Sequence, residues 1–114
     1  MKFIRLFFMC LSVTFSTFFA SAQGSDERVL VESRYQALKT KVPGDAKLFF
    51  ERMESCHHLS GEEVYDQDRK TEIESLLAKD KCEKLVSDEI KLLKKYKRNS
   101  SFKEALSKSR ILFQ

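Results

Sequence analysis

Apolar residues recur along most of this chain at intervals of three and four positions, which is the spacing of one face of an α-helix. Val31, Tyr35, Leu38 and Val42 form one such series, and another begins at Phe49. The chain contains only one Pro and three Gly, too few for the many tight turns of a β-sandwich or barrel. We therefore predict an all-α protein, a small bundle of four to five short helices held by a disulfide.

Breaks in this pattern mark the ends of the predicted helices. Pro43-Gly44 ends the first helix, and Asp45 is suited to cap the second because its carboxylate can accept hydrogen bonds from free backbone amides. The predicted helices are 28–41, 46–58, a third from Asp66 or Asp68, 81–97, and a short terminal helix from a capping pattern at Ser101 and Glu104. The predicted core stripe of the fourth helix is Cys82, Leu85, Val86, Leu93 and Tyr96, with Ile90 and Leu92 at its flanks.

The first 22 residues have the composition of a secretory signal peptide. Lys2 and Arg5 give a positive start, an apolar run follows, and Ala20-Ser21-Ala22 supplies the small residues that a signal peptidase recognises. The run from Phe7 is shorter than the roughly 20 residues of a membrane-spanning helix, so we do not expect a stable membrane anchor after cleavage. The predicted organisation is a signal peptide over 1–22, a disordered linker over 23–27 and one helical domain over 28–114. The predicted location of the protein is the periplasm or outside the cell, as a secreted protein.

The charge of the chain does not indicate a nucleic-acid partner. Removal of Lys2 and Arg5 with the signal peptide lowers the net charge from +4 to +2. The remaining charges are mixed in sign, whereas nucleic-acid binding needs a basic stripe on one face. The end of the predicted fourth helix is nevertheless rich in lysine and arginine. It is either an ordinary solvated helix end or a docking surface for an acidic partner or the anionic cell envelope.

Cys56 and Cys82 are the two cysteines that remain after signal cleavage. An even number of cysteines in an exported protein predicts a disulfide, because the compartments outside the cytoplasm are oxidising. A redox or metal-binding pair is the alternative, but there is no CxxC spacing to support it. The predicted bridge joins the second helix to the fourth.

Both histidines of the chain lie in its densest polar segment, at the end of the second helix. His57, His58 and Glu62 offer ligands for a metal ion, which is the alternative function that we consider. Adjacent residues on a helix diverge by about 100°, so the two histidines cannot easily bind one ion. Catalysis by His57 with Ser60 or Glu62 lacks the nucleophile elbow of known hydrolases.

A structural role explains the same segment without a ligand. In this interpretation His57 is a half-buried histidine, and Gly61 ends the second helix in a left-handed conformation. Asp66 and Arg69 pair three positions apart at the start of the third helix. The candidate polar site consists of His57, Glu62, Asp66 and Arg69.

The same segment carries a resemblance to a group of short, uncharacterised exported bacterial proteins. Those proteins have a C-x-H-x-x-G-E-like segment after a signal peptide, then a downstream Asp, an Arg, a second Cys and a basic-Tyr helix end. The corresponding residues here are Cys56, His57, Gly61, Glu62, Tyr65, Asp66, Arg69, Cys82, Leu85, Lys94 and Tyr96. The resemblance covers about 46–98 and departs at Leu59, where the group often has an aromatic residue. It implies an exported helical fold and assigns no catalytic or ligand-binding residue.

The expected function is non-enzymatic binding of a protein partner in the cell envelope. Size and export suit an inhibitor or immunity-type factor for an envelope-acting enzyme, although this expectation rests on analogy. The alternative is a metal-binding or metal-sensing module that uses His57, His58 and nearby carboxylates. We expect no cofactor.

Overall fold

The structure is a computed structural model that describes residues 23–113, so the predicted signal peptide over 1–22 lies outside the described residues. It confirms the all-α class, since no strand occurs in the described residues. None of the described helices is long and apolar enough to cross a membrane. The elements are α1 (Gln23–Lys39), α2 (Gly44–Gly61), α3 (Gln67–Lys79), a 3-10 turn (Cys82–Lys84), α4 (Leu85–Lys95) and α5 (Ser100–Leu112).

The first helix starts earlier than the sequence predicted. Residues 23–27 were expected to be a disordered linker, but they form the first turns of α1. Asp26 lies in the first turn, where a carboxylate interacts favourably with the helix dipole. The Arg28 side chain donates a hydrogen bond to the Leu112 carbonyl at 3.0 Å. This bond ties the start of α1 to the end of α5, which gives the segment a reason to be ordered.

Side-chain caps define the starts of α3 and α5. The sequence offered Asp66 or Asp68 as the cap of the third helix, and the structure has Asp66. Its carboxylate accepts a 2.7 Å hydrogen bond from the Arg69 amide. The cap of α5 is Asn99, not Ser101, and it accepts from the Phe102 amide at 2.9 Å. Glu104 therefore does not complete a capping box, and its carboxylate binds the Arg34 guanidinium of α1 instead.

The two ends of α2 differ from the prediction in their conformations. Pro43 occupies the N-cap position and provides no side-chain hydrogen bond. Asp45 is the second residue of α2, and its carboxylate binds Lys95 and Tyr96 across the bundle. Gly61 is the last residue of α2, but no glycine in the described residues has a positive φ, so it does not form a left-handed cap.

The main core lies where α1, α2 and α5 meet. α1 runs antiparallel to α5, as the Arg28–Leu112 and Arg34–Glu104 contacts show. Tyr35, Phe50 and Phe102 are fully buried, and Phe50 contacts the rings of the other two at 5.8 and 5.9 Å between centroids. The buried core residues are Tyr35, Leu38, Val42, Ala46, Phe49, Phe50, Leu92, Phe102, Ala105, Leu106 and Leu112.

A polar network completes the core beside Tyr35. The Tyr35 hydroxyl donates to the Glu54 carboxylate at 2.7 Å, and the Lys39 ammonium donates to both oxygens of the same carboxylate. Burial and the bond to Glu54 raise the pKa of the Tyr35 hydroxyl. The hydroxyl therefore stays a neutral donor, and the buried cation of Lys39 has the paired carboxylate that burial requires.

The predicted core stripe of α4 is confirmed at Leu85, Leu93 and Tyr96, which pack against the core, and is wrong at Val86. Leu92, which was predicted at a flank, is buried, whereas Val86 and Ile90 are 74% and 50% exposed. The reason is helix geometry, since Val86 lies about 100° around the helix from Leu85, whereas Leu92, seven positions on, returns to nearly the same face. The inward stripe runs through Leu85, Leu92, Leu93 and Tyr96. Cys82 precedes α4, in a 3-10 turn that follows Lys81 with its left-handed φ of 52°.

The predicted disulfide is confirmed. Cys56 and Cys82 are bonded, with their Cα atoms 5.7 Å apart. Cys56 is buried on α2, and Cys82 belongs to the turn that leads into α4. The bridge therefore attaches the 3-10 turn before α4 to α2, which is the longest of the described helices.

Candidate binding surface

Three of the four residues of the predicted polar site meet at the connection between α2 and α3. The Glu62 carboxylate binds the Arg69 guanidinium and lies 3.2 Å from Nε2 of His58. Asp66 does not pair with the Arg69 guanidinium, because its carboxylate accepts from the Arg69 backbone amide. Arg69 also binds Glu72. Since each charged group has a partner, these contacts fix the angle at which α3 leaves α2.

The electrostatics of this connection follow from the same ion pairs. The bond from Arg69 lowers the pKa of the Glu62 carboxyl, and the neighbouring His58 adds to the effect. In turn, Glu62 and Glu72 raise the pKa of Arg69. These directions keep Glu62 ionised and Arg69 protonated, which is the state that the structural interpretation of the segment requires.

His57 is separate from this cluster. It is exposed rather than half-buried, and its ring packs against Phe113 with 5.2 Å between the ring centroids. The residues of the metal-site alternative therefore do not converge, because only His58 contacts Glu62. Within residues 23–113, no group of three or more His, Cys, Asp and Glu side chains could hold a metal ion.

A groove of about 430 Å³ opens beside the disulfide, between α2, α4 and α5. We call it the α2–α4–α5 groove. Its apolar lining consists of Met53, Leu85, Val86, Phe113 and the Cys56–Cys82 bridge. Its polar lining consists of His57, Ser60, Glu89, Ser109 and Arg110.

The walls of the groove are held by contacts between the helices. The Arg110 guanidinium on α5 binds the Glu89 carboxylate on α4, and the buried Ser109 hydroxyl donates to the Leu106 carbonyl at 2.8 Å. Because Glu89 and Arg110 pair with each other and Ser109 bonds within α5, the surface that the groove presents is mainly apolar. Ile90, one turn beyond Val86 on α4, is also exposed.

One feature of the sequence, the placement of the apolar residues of α4, could have indicated this groove. Leu85, Val86, Ile90 and Leu92 place apolar residues on more than one side of α4. A helix that buries a single face against a small bundle needs only one such stripe. Val86 was predicted in the core stripe and Ile90 at its flank, whereas the structure leaves both exposed. The roles of Glu89, Arg110 and Phe113 had no sequence signal, since they depend on how α4 and α5 pack.

A second distinctive surface lies where α1 and α4 end and α2 and α5 begin. Five exposed cations gather there, and we call this surface the basic end. It consists of Lys41, Lys94, Lys97, Arg98 and Lys103. At its edge, Lys95 and Tyr96 bind Asp45 and lower the pKa of the Asp45 carboxyl to about 2.

We expect the Asp45 contacts to stabilise the protein above pH 4 and to be lost as the pH falls towards 2. The ionised carboxylate is favoured in the folded state, because its folded pKa of about 2 lies below the value of about 3.9 in an unfolded chain. The difference in melting temperature between the wild type and Asp45→Asn should therefore be constant from pH 5 to 7 and shrink below pH 4.

A second variant checks the assignment of this effect. Lys95→Gln removes the partner with the largest influence on Asp45, so the Asp45 carboxyl should titrate at a higher pH when followed by carbon NMR. An unchanged titration in Lys95→Gln would show that this ion pair is not formed in solution.

Comparison of the chain with protein-family models, with curated proteins and with solved structures gives no significant match.

Proposed function

We propose that this protein is an exported, non-enzymatic binding protein that presents the α2–α4–α5 groove to a protein partner. The observation that carries the proposal is the groove itself, with Val86 74% exposed at its wall. Interfaces between proteins obtain most of their affinity from apolar contacts at the centre, surrounded by a polar rim. The apolar floor and the rim of His57, Ser60 and the Glu89–Arg110 pair have this arrangement.

The rigidity of the groove supports the same proposal. The disulfide fixes one wall to α2, and the Glu89–Arg110 ion pair joins the other two helices. A surface that is ordered before binding loses less conformational entropy when a partner docks. We therefore expect an apolar side chain of the partner to enter the groove without a rearrangement of the helices.

The concrete form of this proposal is an inhibitor or immunity-type factor for an enzyme that acts in the cell envelope. The signal-peptide pattern over 1–22 and a disulfide that suits an oxidising compartment support a periplasmic or secreted location. A small rigid protein can block an active site by inserting one anchor residue or by accepting one. The groove favours acceptance of an anchor.

Site-specific crosslinking in producing cells tests the proposal. A photoreactive amino acid at Val86 should give one discrete adduct, because this side chain lies at the wall of the groove. The same amino acid at Ser75, an exposed position on α3, should not give it. Mass spectrometry of the adduct identifies the partner, and an assay of its activity with and without the protein tests the inhibitor form.

Two valine substitutions then measure the contribution of the groove to affinity. Val86→Glu places a charge against the apolar lining and should weaken binding of the purified partner at least about ten-fold, as expected of a central interface residue. Val29→Glu makes the same change on α1, where the valine is 66% exposed, and should leave binding unchanged. Equal adducts from positions 86 and 75, or equal affinities of both glutamate variants, would contradict the proposal.

A further inference from the structure

Four helix termini meet at the basic end, so its position in the bundle is well defined. Asp45 at the start of α2 binds Lys95 and Tyr96 at the end of α4. The chain then turns directly into α5. Lys41, which follows α1, lies close enough to Glu104 of α5 to help lower the pKa of the Glu104 carboxyl. Two helices begin here and two end, so their dipoles largely cancel. The side-chain charges therefore determine the potential of this surface.

The cations of the basic end form no close ion pair with a carboxylate of the described residues. Within the described part of the chain, the ion pairs leave out Lys41, Lys94, Lys97, Arg98 and Lys103. The carboxylates nearest to them are already engaged. Asp45 is bound by Lys95 and Tyr96, and Glu104 is bound by Arg34. The result is a positive surface of five cations. Lys79, Lys81 and Lys84 also form no ion pair in the described residues, but Asp80 and Glu83 lie between them in the sequence.

The composition of the basic end favours an extended anionic surface over a protein partner. Its five cations are all exposed and belong to three separate segments of the chain, so they spread over the end of the bundle. None of the exposed large apolar side chains of the described residues lies in 37–42 or 94–103, and Leu48 of α2 lines a separate groove with Asp45 and Lys95 at the edge of this surface. A protein interface would need such residues at its centre. Lipid headgroups offer many adjacent phosphates and need no apolar anchor.

We propose that the basic end holds the protein against an anionic phospholipid membrane by electrostatic adsorption. The groove lies towards the other end of α5, since Arg110 and Phe113 line it while Lys103 belongs to the basic end. Lys103 precedes the lining residues Ser109, Arg110 and Phe113 by six to ten positions, or roughly 9–15 Å along α5. Membrane attraction decays within about 10 Å at ordinary ionic strength, so the groove stays accessible to a partner. This proposal uses a different surface from the proposed function and does not depend on it.

Vesicle sedimentation with the protein purified after expression of the full chain tests the proposal. The probes are vesicles of phosphatidylcholine with and without 30 mol% phosphatidylglycerol. We expect binding only to the anionic vesicles, and at least a ten-fold loss between 50 and 200 mM NaCl. The triple variant Lys94→Gln, Lys97→Gln, Arg98→Gln should bind at least about ten-fold more weakly, because each basic residue near the surface contributes to adsorption.

A matched variant separates the basic end from net charge. Lys79→Gln, Lys81→Gln, Lys84→Gln removes three exposed lysines near the start of α4 and lowers the net charge equally. It should keep wild-type vesicle binding. Equal losses in both triple variants, salt-independent binding or no binding to anionic vesicles would each overturn the proposal. If vesicles fail and only the first triple variant loses the crosslinked partner, the basic end contacts that partner and the membrane proposal is wrong.

Discussion

Replacing Cys56 and Cys82 together with alanine is expected to lower the free energy of unfolding by about 3–4 kcal/mol. The bridge spans 26 positions of sequence, and without it the unfolded chain gains the corresponding conformational freedom. Domains of this size are stable by roughly 5–15 kcal/mol, so the loss is a large share of the total. The melting temperature should fall by about 15–25 °C.

The measurement is chemical and thermal unfolding followed by circular dichroism, with and without a reducing agent. Reduction should lower the stability of the wild type to that of the double variant, and it should leave the double variant unchanged. This comparison separates the bridge from the effect of alanine at the two positions. A wild type that is insensitive to full reduction, shown by thiol labelling, would contradict a stabilising role for the bridge.

Phe50→Ala is expected to cost about 4 kcal/mol, the largest effect of a single substitution in this protein. Phe50 has no exposed surface, and its ring contacts Tyr35, Phe49 and Phe102. Truncation to alanine loses the transfer free energy of the ring and leaves a cavity that three aromatic neighbours cannot close. Because those neighbours come from α1, α2 and α5, the loss weakens all the contacts that form the main core.

Leu48→Ala provides the matched control for Phe50→Ala. Leu48 lies two residues away on the same helix and is 65% exposed, so its truncation should change the free energy of unfolding by less than about 0.5 kcal/mol. Urea unfolding at equal protein concentration measures both variants. Similar costs for the two substitutions would show that α2 does not present Phe50 to the core as the structure describes.

Local sequence patterns predicted the helices and their breaks because the interactions that form a helix link residues only a few positions apart. The spacing of Phe49, Met53 and Cys56 predicted α2 and its inward face, and both Phe49 and Cys56 are buried. Asp66 was one of two predicted caps for α3, and it makes the expected bond. Phe50 was not predicted to be buried. It lies beside the predicted inward face of α2, and only the packing of α2 between several helices buries this second side of the helix.

The inward face of α4 and the linker over 23–27 show where such patterns fail. Apolar residues lie on more than one side of α4, and only the packing of the helix against its neighbours buries Leu92 and leaves Val86 74% exposed. The start of α1 is held by a bond from Arg28 to Leu112, which are far apart in the sequence. In both cases contacts between segments that are distant in the sequence decided the outcome.

The sequence by itself determined the helical class, the approximate helix boundaries and the pairing of the two cysteines, since each of these follows from local spacing or from simple counting. Only the tertiary structure decided that the His57 ring packs against Phe113 instead of joining Glu62. It also decided that Val86 borders a groove and that five unpaired cations share one end. These features arise when helices distant in the chain pack together, and packing depends on the complementary shape and charge of whole faces.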